Sequence, residues 1–160
     1  MSAVRAIFSG EYTHAVDAQR RLSIPRSWRG EEGLSFYLFP SAQKMLRLLS
    51  SYVVQGLCDK LDAQSSSFTN VKVEQLKAAI FRQMYEVQCD KQGRIQLPSA
   101  MKAKAEIGSE AVLVAAGSTA QIWSKEGWDE FQVLDTIDVS SAIDDLMNDD
   151  FDLENFFGGE

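Results

Sequence analysis

Two short strings in this chain share a spacing with chemical consequences. Asp17-Ala-Gln-Arg-Arg21 and Asp90-Lys-Gln-Gly-Arg94 each place an arginine four residues after an aspartate, at a constant offset of 73. A turn that presents arginine offers a planar fork of donors suited to phosphate oxygens or to a guanine edge. The aspartate could hold that arginine in place or close the turn through the backbone. Arg20, Arg26 and Arg29 lie near the first string, and Lys91, Lys102 and Lys104 near the second. The plainer alternative is a solvated turn with a surface ion pair worth under about 1 kcal/mol. Spacing alone leaves both open.

The strings belong to a longer internal repeat. Residues 12–25 align with 85–98 through the identities Tyr12/Tyr85, Asp17/Asp90, Gln19/Gln92, Arg21/Arg94 and Pro25/Pro98. Farther on, Leu48-Leu49-Ser50 matches Ile122-Trp123-Ser124 after a one-residue slip. In each copy, alternation through Tyr12, His14, Val16 and through Tyr85, Val87, Cys89 predicts a strand with one buried face. A turn follows, then a second alternating strand (Leu22/Ile24, Ile95/Leu97) that ends at proline, reading locally as a hairpin. A helix is expected over Ser99–Gly108, opened near Ser99 and stopped by Gly108. A second hairpin is expected from Ala111–Ala115 and Ala120–Trp123 around Gly117, with Ser124 opening a short helix that carries Trp128 and Phe131. Its first-copy counterparts are Phe36–Phe39 and Met45–Leu49.

Residues 63–70 read as a linker. Beyond them Val73, Leu76, Ile80 and Met84 recur at helical spacing, which predicts a packing helix between the copies. Four short strands bury too little apolar surface alone, so the two copies are expected to pack together. The boundaries that follow are 5–52 for the first unit, 53–83 for the linker and packing helix, 84–131 for the second unit, and 132–160 for an acidic tail.

The net charge of -7 conceals an asymmetry. Residues 1–125 hold all 16 bases and 11 acids, a balance of +5, whereas residues 126–160 hold 12 acids and no base. A basic body with an acidic tail points towards nucleic acid, weakly by itself. The tail reads as a flexible solvating segment, or as a docking segment with Ser140 or Ser141 capping a short helix. In that second form its interleaved Ile143, Leu146, Met147, Phe151, Leu153, Phe156 and Phe157 would contact a partner, or fold back on the basic face and compete with DNA.

Other chemistries find little support. The longest apolar run, Ala111–Ala116, falls far short of the roughly 20 residues that span a bilayer, and no signal peptide is evident. Cys58 and Cys89 make no disulfide framework and read as inert thiols; His14, the one histidine, reads as a packed or surface residue. Asp144, Asp145, Asp149, Asp150 and Asp152 lack the glycine and terminal glutamate of a calcium loop. No metal, cofactor, small-molecule substrate or enzymatic activity is expected, and the chain reads as a cytoplasmic protein.

The string from Phe8 to Pro25 closely resembles the opening of MraZ proteins. Asp90–Pro98, followed by Ile122-Trp-Ser-Lys-Glu-Gly-Trp128, is similar to that family's second half. The resemblance spans roughly residues 5–131. It implies an α+β protein of two tandem AbrB-like swapped-hairpin β units with short helices, packed as a pseudo-symmetric pair. It also implies a nucleoid-associated transcriptional regulator that forms ring-shaped homo-oligomers and binds repeated short boxes in double-stranded DNA, commonly ahead of its own division and cell-wall gene cluster. The DNA contacts it implies fall on Arg21 and Arg94, with Arg20, Lys91, Gln19 and Gln92 beside them, and Asp17, Asp90 and Gly93 organising the turns. The family pattern places lysine and then glycine before the arginine. Copy one has Gln19 and Arg20 there, so a different first turn is expected. The competing class is a protein-interaction module of the same fold, working through its acidic, aromatic tail.

Overall fold

A computed structural model describes residues 7–29, 35–41, 44–64, 71–133 and 137–157. Its contacts divide the chain into two units, residues 1–129 and 130–160.

The first unit is α+β. Its strands are β1 (Glu11–Ala15), β2 (Arg21–Ser23), β3 (Ser35–Pro40), β4 (Met45–Ser50), β5 (Tyr85–Gln88), β6 (Arg94–Gln96), β7 (Glu110–Ala115) and β8 (Thr119–Ser124). Helices α1 (Ser51–Gln64) and α2 (Val71–Phe81) stand between the copies, α3 (Ser99–Lys104) follows β6, and α4 (Lys125–Val133), which begins in this unit, follows β8.

Six strands form one antiparallel sheet in the order β1-β7-β8-β4-β3-β5, and β2 and β6 form a separate two-stranded ribbon. The six-strand order reads the same when each strand is replaced by its repeat counterpart. The expected first hairpins are therefore exchanged. Among the described residues β1 forms no ladder with β2, the isolated bridge Val16–Leu22 lying just past its end, and it ladders instead on β7 of the other copy, with Tyr12 opposite Leu113. β5 does the same on β3, with Tyr85 opposite Leu38. The second hairpins, β3–β4 and β7–β8, form as the alternation predicts, the latter around Gly117 at φ +78°.

Period-two alternation decides what the sheet buries. Leu113, Ile122, Leu46, Leu48, Phe36 and Leu38 join Leu22, Ile24, Ile95 and Leu97 in the main core. Their neighbours Val112, Trp123 and Met45 face the other way and gather with Trp128 of α4 in a second cluster. Trp28, in the 3-10 turn Arg26–Trp28, closes the main core. Its ring lies 5.3 Å from Phe8, and its Nε1 donates to the Ser9 carbonyl at 2.9 Å.

The repeat extends to helix starts. The buried Ser50 hydroxyl accepts the Val53 N–H at 3.3 Å, and the buried Ser124 hydroxyl accepts the Gly127 N–H at 2.9 Å. Each caps the helix that leaves its strand.

Three expectations need correction. The helix after Pro98 stops at Lys104 and not at Gly108. Glu106 takes the left-handed conformation (φ +57°), with Glu106 N–H bonded to the Ala103 carbonyl and Ile107 N–H to the Lys102 carbonyl. That pair of bonds is a Schellman stop, and it is favoured because it delivers Ile107 into the core, 4% exposed. The expected packing helix exists as α2 but buries none of its residues: Leu76 is 50% exposed, and Met84 lies past the helix end. The expected linker lies outside the described residues from 65 to 70, and 63–64 belong to α1.

The second unit contains α5 (Val139–Met147) and α6 (Leu153–Phe157). The expected cap at Ser140 or Ser141 falls instead to Asp138, whose carboxylate accepts the Ser141 N–H at 3.1 Å. A carboxylate at a helix N-terminus also meets the positive end of the helix dipole. Ile143, Leu146 and Met147 are exposed along α5, and Phe151, Phe156 and Phe157 cluster around α6.

Candidate nucleic-acid interface

The ribbon begins with two turns built alike. In the first, Asp17 Oδ1 accepts the N–H groups of Gln19 (2.9 Å) and Arg21 (2.8 Å), and Oδ2 accepts Arg21 Nε at 2.6 Å. In the second, Asp90 Oδ1 accepts the N–H groups of Gln92 and Arg94, both at 2.9 Å, and Oδ2 accepts Arg94 Nε at 2.9 Å. Each aspartate thus closes its turn and aims the following arginine. The Arg21 backbone N–H is the main reason the Asp17 carboxyl lies below its ordinary value, with the Arg21 side chain and the Gln19 N–H adding to it against partial desolvation. Asp90 is lowered for the same reasons by Arg94 and Gln92.

The expectation of a different first turn does not hold. Arg20 adopts φ +64° where Gly93 has φ +81°, and the closing backbone bonds correspond: Arg20 N–H to the Asp17 carbonyl, Gly93 N–H to the Asp90 carbonyl. The strain of a side chain at positive φ is about 1–2 kcal/mol. The Asp17 network and two cross-ribbon bonds offset it: Leu97 N–H donates to the Arg20 carbonyl at 2.8 Å, and Arg20 Nε to the Leu97 carbonyl at 2.9 Å.

Register then fixes where the arginines go. In the ribbon Arg21 stands opposite Gln96, Leu22 opposite Ile95, and Ser23 opposite Arg94. Leu22 and Ile95 point into the core, each 0% exposed. Arg21, Ser23, Arg94 and Gln96 therefore share the other, outward face. Arg21 and Arg94 are diagonal neighbours there, a relation that places residues about 7–8 Å apart with their Cβ atoms somewhat closer. Their side chains are 35% and 27% exposed, and among the described residues only Nε of each guanidinium is hydrogen-bonded. The terminal nitrogens are left as donors.

Gln19, Gln92 and Lys91 are exposed on the turns. The segments 17–29 and 90–96, which build the ribbon, hold six bases against two acids. The structure thus brings Arg20, Arg21, Arg94, Lys91, Gln19 and Gln92 onto one ribbon and its two turns. It also brings in Ser23 and Gln96, which the sequence reading does not single out; Gln96 Nε2 donates to the Gln19 carbonyl at 2.9 Å. Their signal is position, since both flank a buried residue on a two-residue period. Arg29, in the sequence only a nearby base, lies over the second turn, where a methyl group on Gly93 would overlap its guanidinium.

His14 stacks on Tyr12 with ring centroids 6.3 Å apart. Burial pushes the Cys89 thiol up, against the pull of Arg29. Among the described residues no group of His, Cys, Asp and Glu is placed to hold a metal ion, and no helix is long and apolar enough to cross a membrane.

A family model described as "MraZ protein, putative antitoxin-like" matches residues 80–148. A transcriptional regulator MraZ from Mycoplasma mobile is 33% identical over 76% of this chain and 82% of its own length. That of Dictyoglomus thermophilum is 35% identical over 78% of this chain and 84% of its own. That of Moorella thermoacetica is 31% identical over 92% of this chain and the whole of its own.

Proposed function

Because this chain belongs to the MraZ family of transcriptional regulators, we propose that it is a sequence-specific DNA-binding repressor whose reading head is the β2–β6 ribbon. The observation that carries the reading is the pair of aspartate-held arginines on one outward ribbon face. A B-DNA major groove admits a two-stranded β-ribbon, and arginine pairs in bidentate fashion with guanine O6 and N7. Arg21 and Arg94 are the base-reading residues in this proposal. Arg20, Lys91, Gln19 and Gln92 contact the backbone and set register, while Asp17, Asp90 and Gly93 hold the turns.

One ribbon makes few base contacts. We therefore assign the protein to a ring-shaped homo-oligomer on repeated short boxes, where multiplying weak modules raises avidity without new contacts. Residues 5–52 and 84–131 are the two AbrB-like units in this reading, 53–83 joins them, and 132–160 is the tail. The targets are a division and cell-wall gene cluster that includes the protein's own gene, and the protein acts at the nucleoid in the cytoplasm. No enzymatic step is assigned, in keeping with a family of regulators.

The test is a mobility-shift titration on the protein's own upstream DNA at two salt concentrations. Binding should fall steeply with salt, because phosphate contacts release counterions. Arg94→Ala should weaken specific binding by about 1–3 kcal/mol, or roughly 5- to 150-fold. A much smaller change removes Arg94 from the base-reading set. The second reading, an interaction module without DNA binding, is favoured by the exposed apolar residues of α5, and absence of any shift at either salt would support it.

A further inference from the structure

The two turns are alike in backbone and unlike in side chains. At the left-handed position the first turn carries Arg20 and the second carries Gly93, which leaves no side chain at that tip. The space is nevertheless filled. The guanidinium of Arg29, which follows the 3-10 turn after β2, lies against the Gly93 α-carbon where a Cβ would otherwise project, with Nε 2.9 Å from that point. Arg29 Nε is buried and has no hydrogen-bond partner among the described residues, and the side chain forms no ion pair with a described residue. Arg29 as a whole is only partly buried, so its terminal nitrogens and not Nε are the donors a ligand can reach, and a ligand there would offset the cost of the uncompensated Nε. Its repeat counterpart is Lys102, so the sequence symmetry does not supply the arrangement.

We infer that Arg29 gives the second turn the guanidinium that Arg20 gives the first, and that Arg29 is a phosphate-contacting residue of the DNA-binding ribbon. The inference rests on the DNA-binding reading above and adds a residue and a role to it. Each end of the ribbon then carries a base-reading arginine and a phosphate-binding one: Arg21 with Arg20, Arg94 with Arg29. Gly93 is required at the second tip because any side chain there would displace Arg29. The first turn needs no glycine because its guanidinium comes from the tip residue itself, anchored by Nε on the Leu97 carbonyl. Three of the four arginines come from residues 20–29, so the first copy dominates the electrostatics of the ribbon.

The experiment measures binding of the full-length protein to two duplexes, one from its own upstream DNA and one of scrambled sequence, across a salt series. Arg29→Ala should weaken binding to both duplexes and reduce the log–log salt slope by about 0.9, the loss of one phosphate contact. Arg29→Lys should keep the slope, and Arg29→Gln, which retains most of the side-chain stem, should lose it as alanine does. Arg29→Ala combined with Gly93→Arg should restore the slope, because it rebuilds in the second turn what the first already has. A lowered unfolding midpoint in Arg29→Ala with an unchanged salt slope overturns the inference and makes Arg29 a packing residue. Failure of Gly93→Arg to restore a lost slope overturns the equivalence of the two turns. If the unaltered protein binds neither duplex at any salt, the DNA-binding reading itself fails, an outcome distinct from binding that ignores Arg29.

Discussion

Asp17 and Asp90 carry more structural responsibility than a surface ion pair would suggest. Each carboxylate accepts three donors, two of them backbone N–H groups, so it organises main chain as well as side chain. The lowered proton affinity of both has a consequence for stability. With folded values below the ordinary 3.8, the unfolded chain takes up these protons first. The stabilisation is therefore fully present above the unfolded value and is lost as the pH falls through the folded one. Replacing both by asparagine should lower stability at pH 7 and flatten the acid limb below about pH 4. Urea unfolding at neutral and acid pH measures this, and parallel curves for the two proteins would contradict it. Sequence alone reaches only part of this arrangement. The Asp-x-x-x-Arg spacing marks both turns, because the carboxylate and its donors lie within five residues of one another. Whether the first turn could form without glycine depends on bonds to Leu97, 77 residues away, which no local pattern contains.

Elements here obey local chemistry where burial agrees with it and depart where it does not. The strands are legible because their alternation is strong, and the helix start at Ser124 because it follows a strand; the cap at Ser50 emerges only from the structure, in step with the repeat. The end of α3 is not legible in the same way. Gly108 is the better left-handed residue in isolation, whereas burial of Ile107 sets the stop two residues earlier, at Glu106. A non-glycine residue there is strained by about 1 kcal/mol. Glu106→Gly should accordingly raise stability by about 0.5–1 kcal/mol, since its ion pair with Lys44 is exposed and adds little. A higher urea midpoint at constant slope is the expected result, and no gain would mean that the Schellman bonds already remove the strain. Helix α2 shows the converse: a helical stripe of Val73, Leu76 and Ile80 reads as a packing face, yet periodicity states only that a face exists and not what lies against it. The pairing of β2 with β6 is invisible to any local reading, because it joins segments 73 residues apart, and only the family resemblance points to it.

For the molecule as a whole, charge is distributed so that the basic ribbon proposed to read DNA works against the sign of its own chain. Residues 132–160 contribute nine acids and no base, and removing them changes the net charge from -7 to +2. DNA affinity of the truncated protein should rise, and rise most at low salt, where repulsion acts over distances longer than the screening length. A mobility shift of the two forms at low and high salt checks this, and equal affinities would leave the acidic segment without influence on binding. The exchange of β1 and β5 makes each copy depend on the other. A lone copy would leave its first strand without a ladder, so it could close only on an identical second copy. Such a pairing forces both tips to be the same residue. Within one chain the two tips need not match, and they do not: Arg20 stands at one end of the ribbon, while at the other Gly93 leaves room for Arg29.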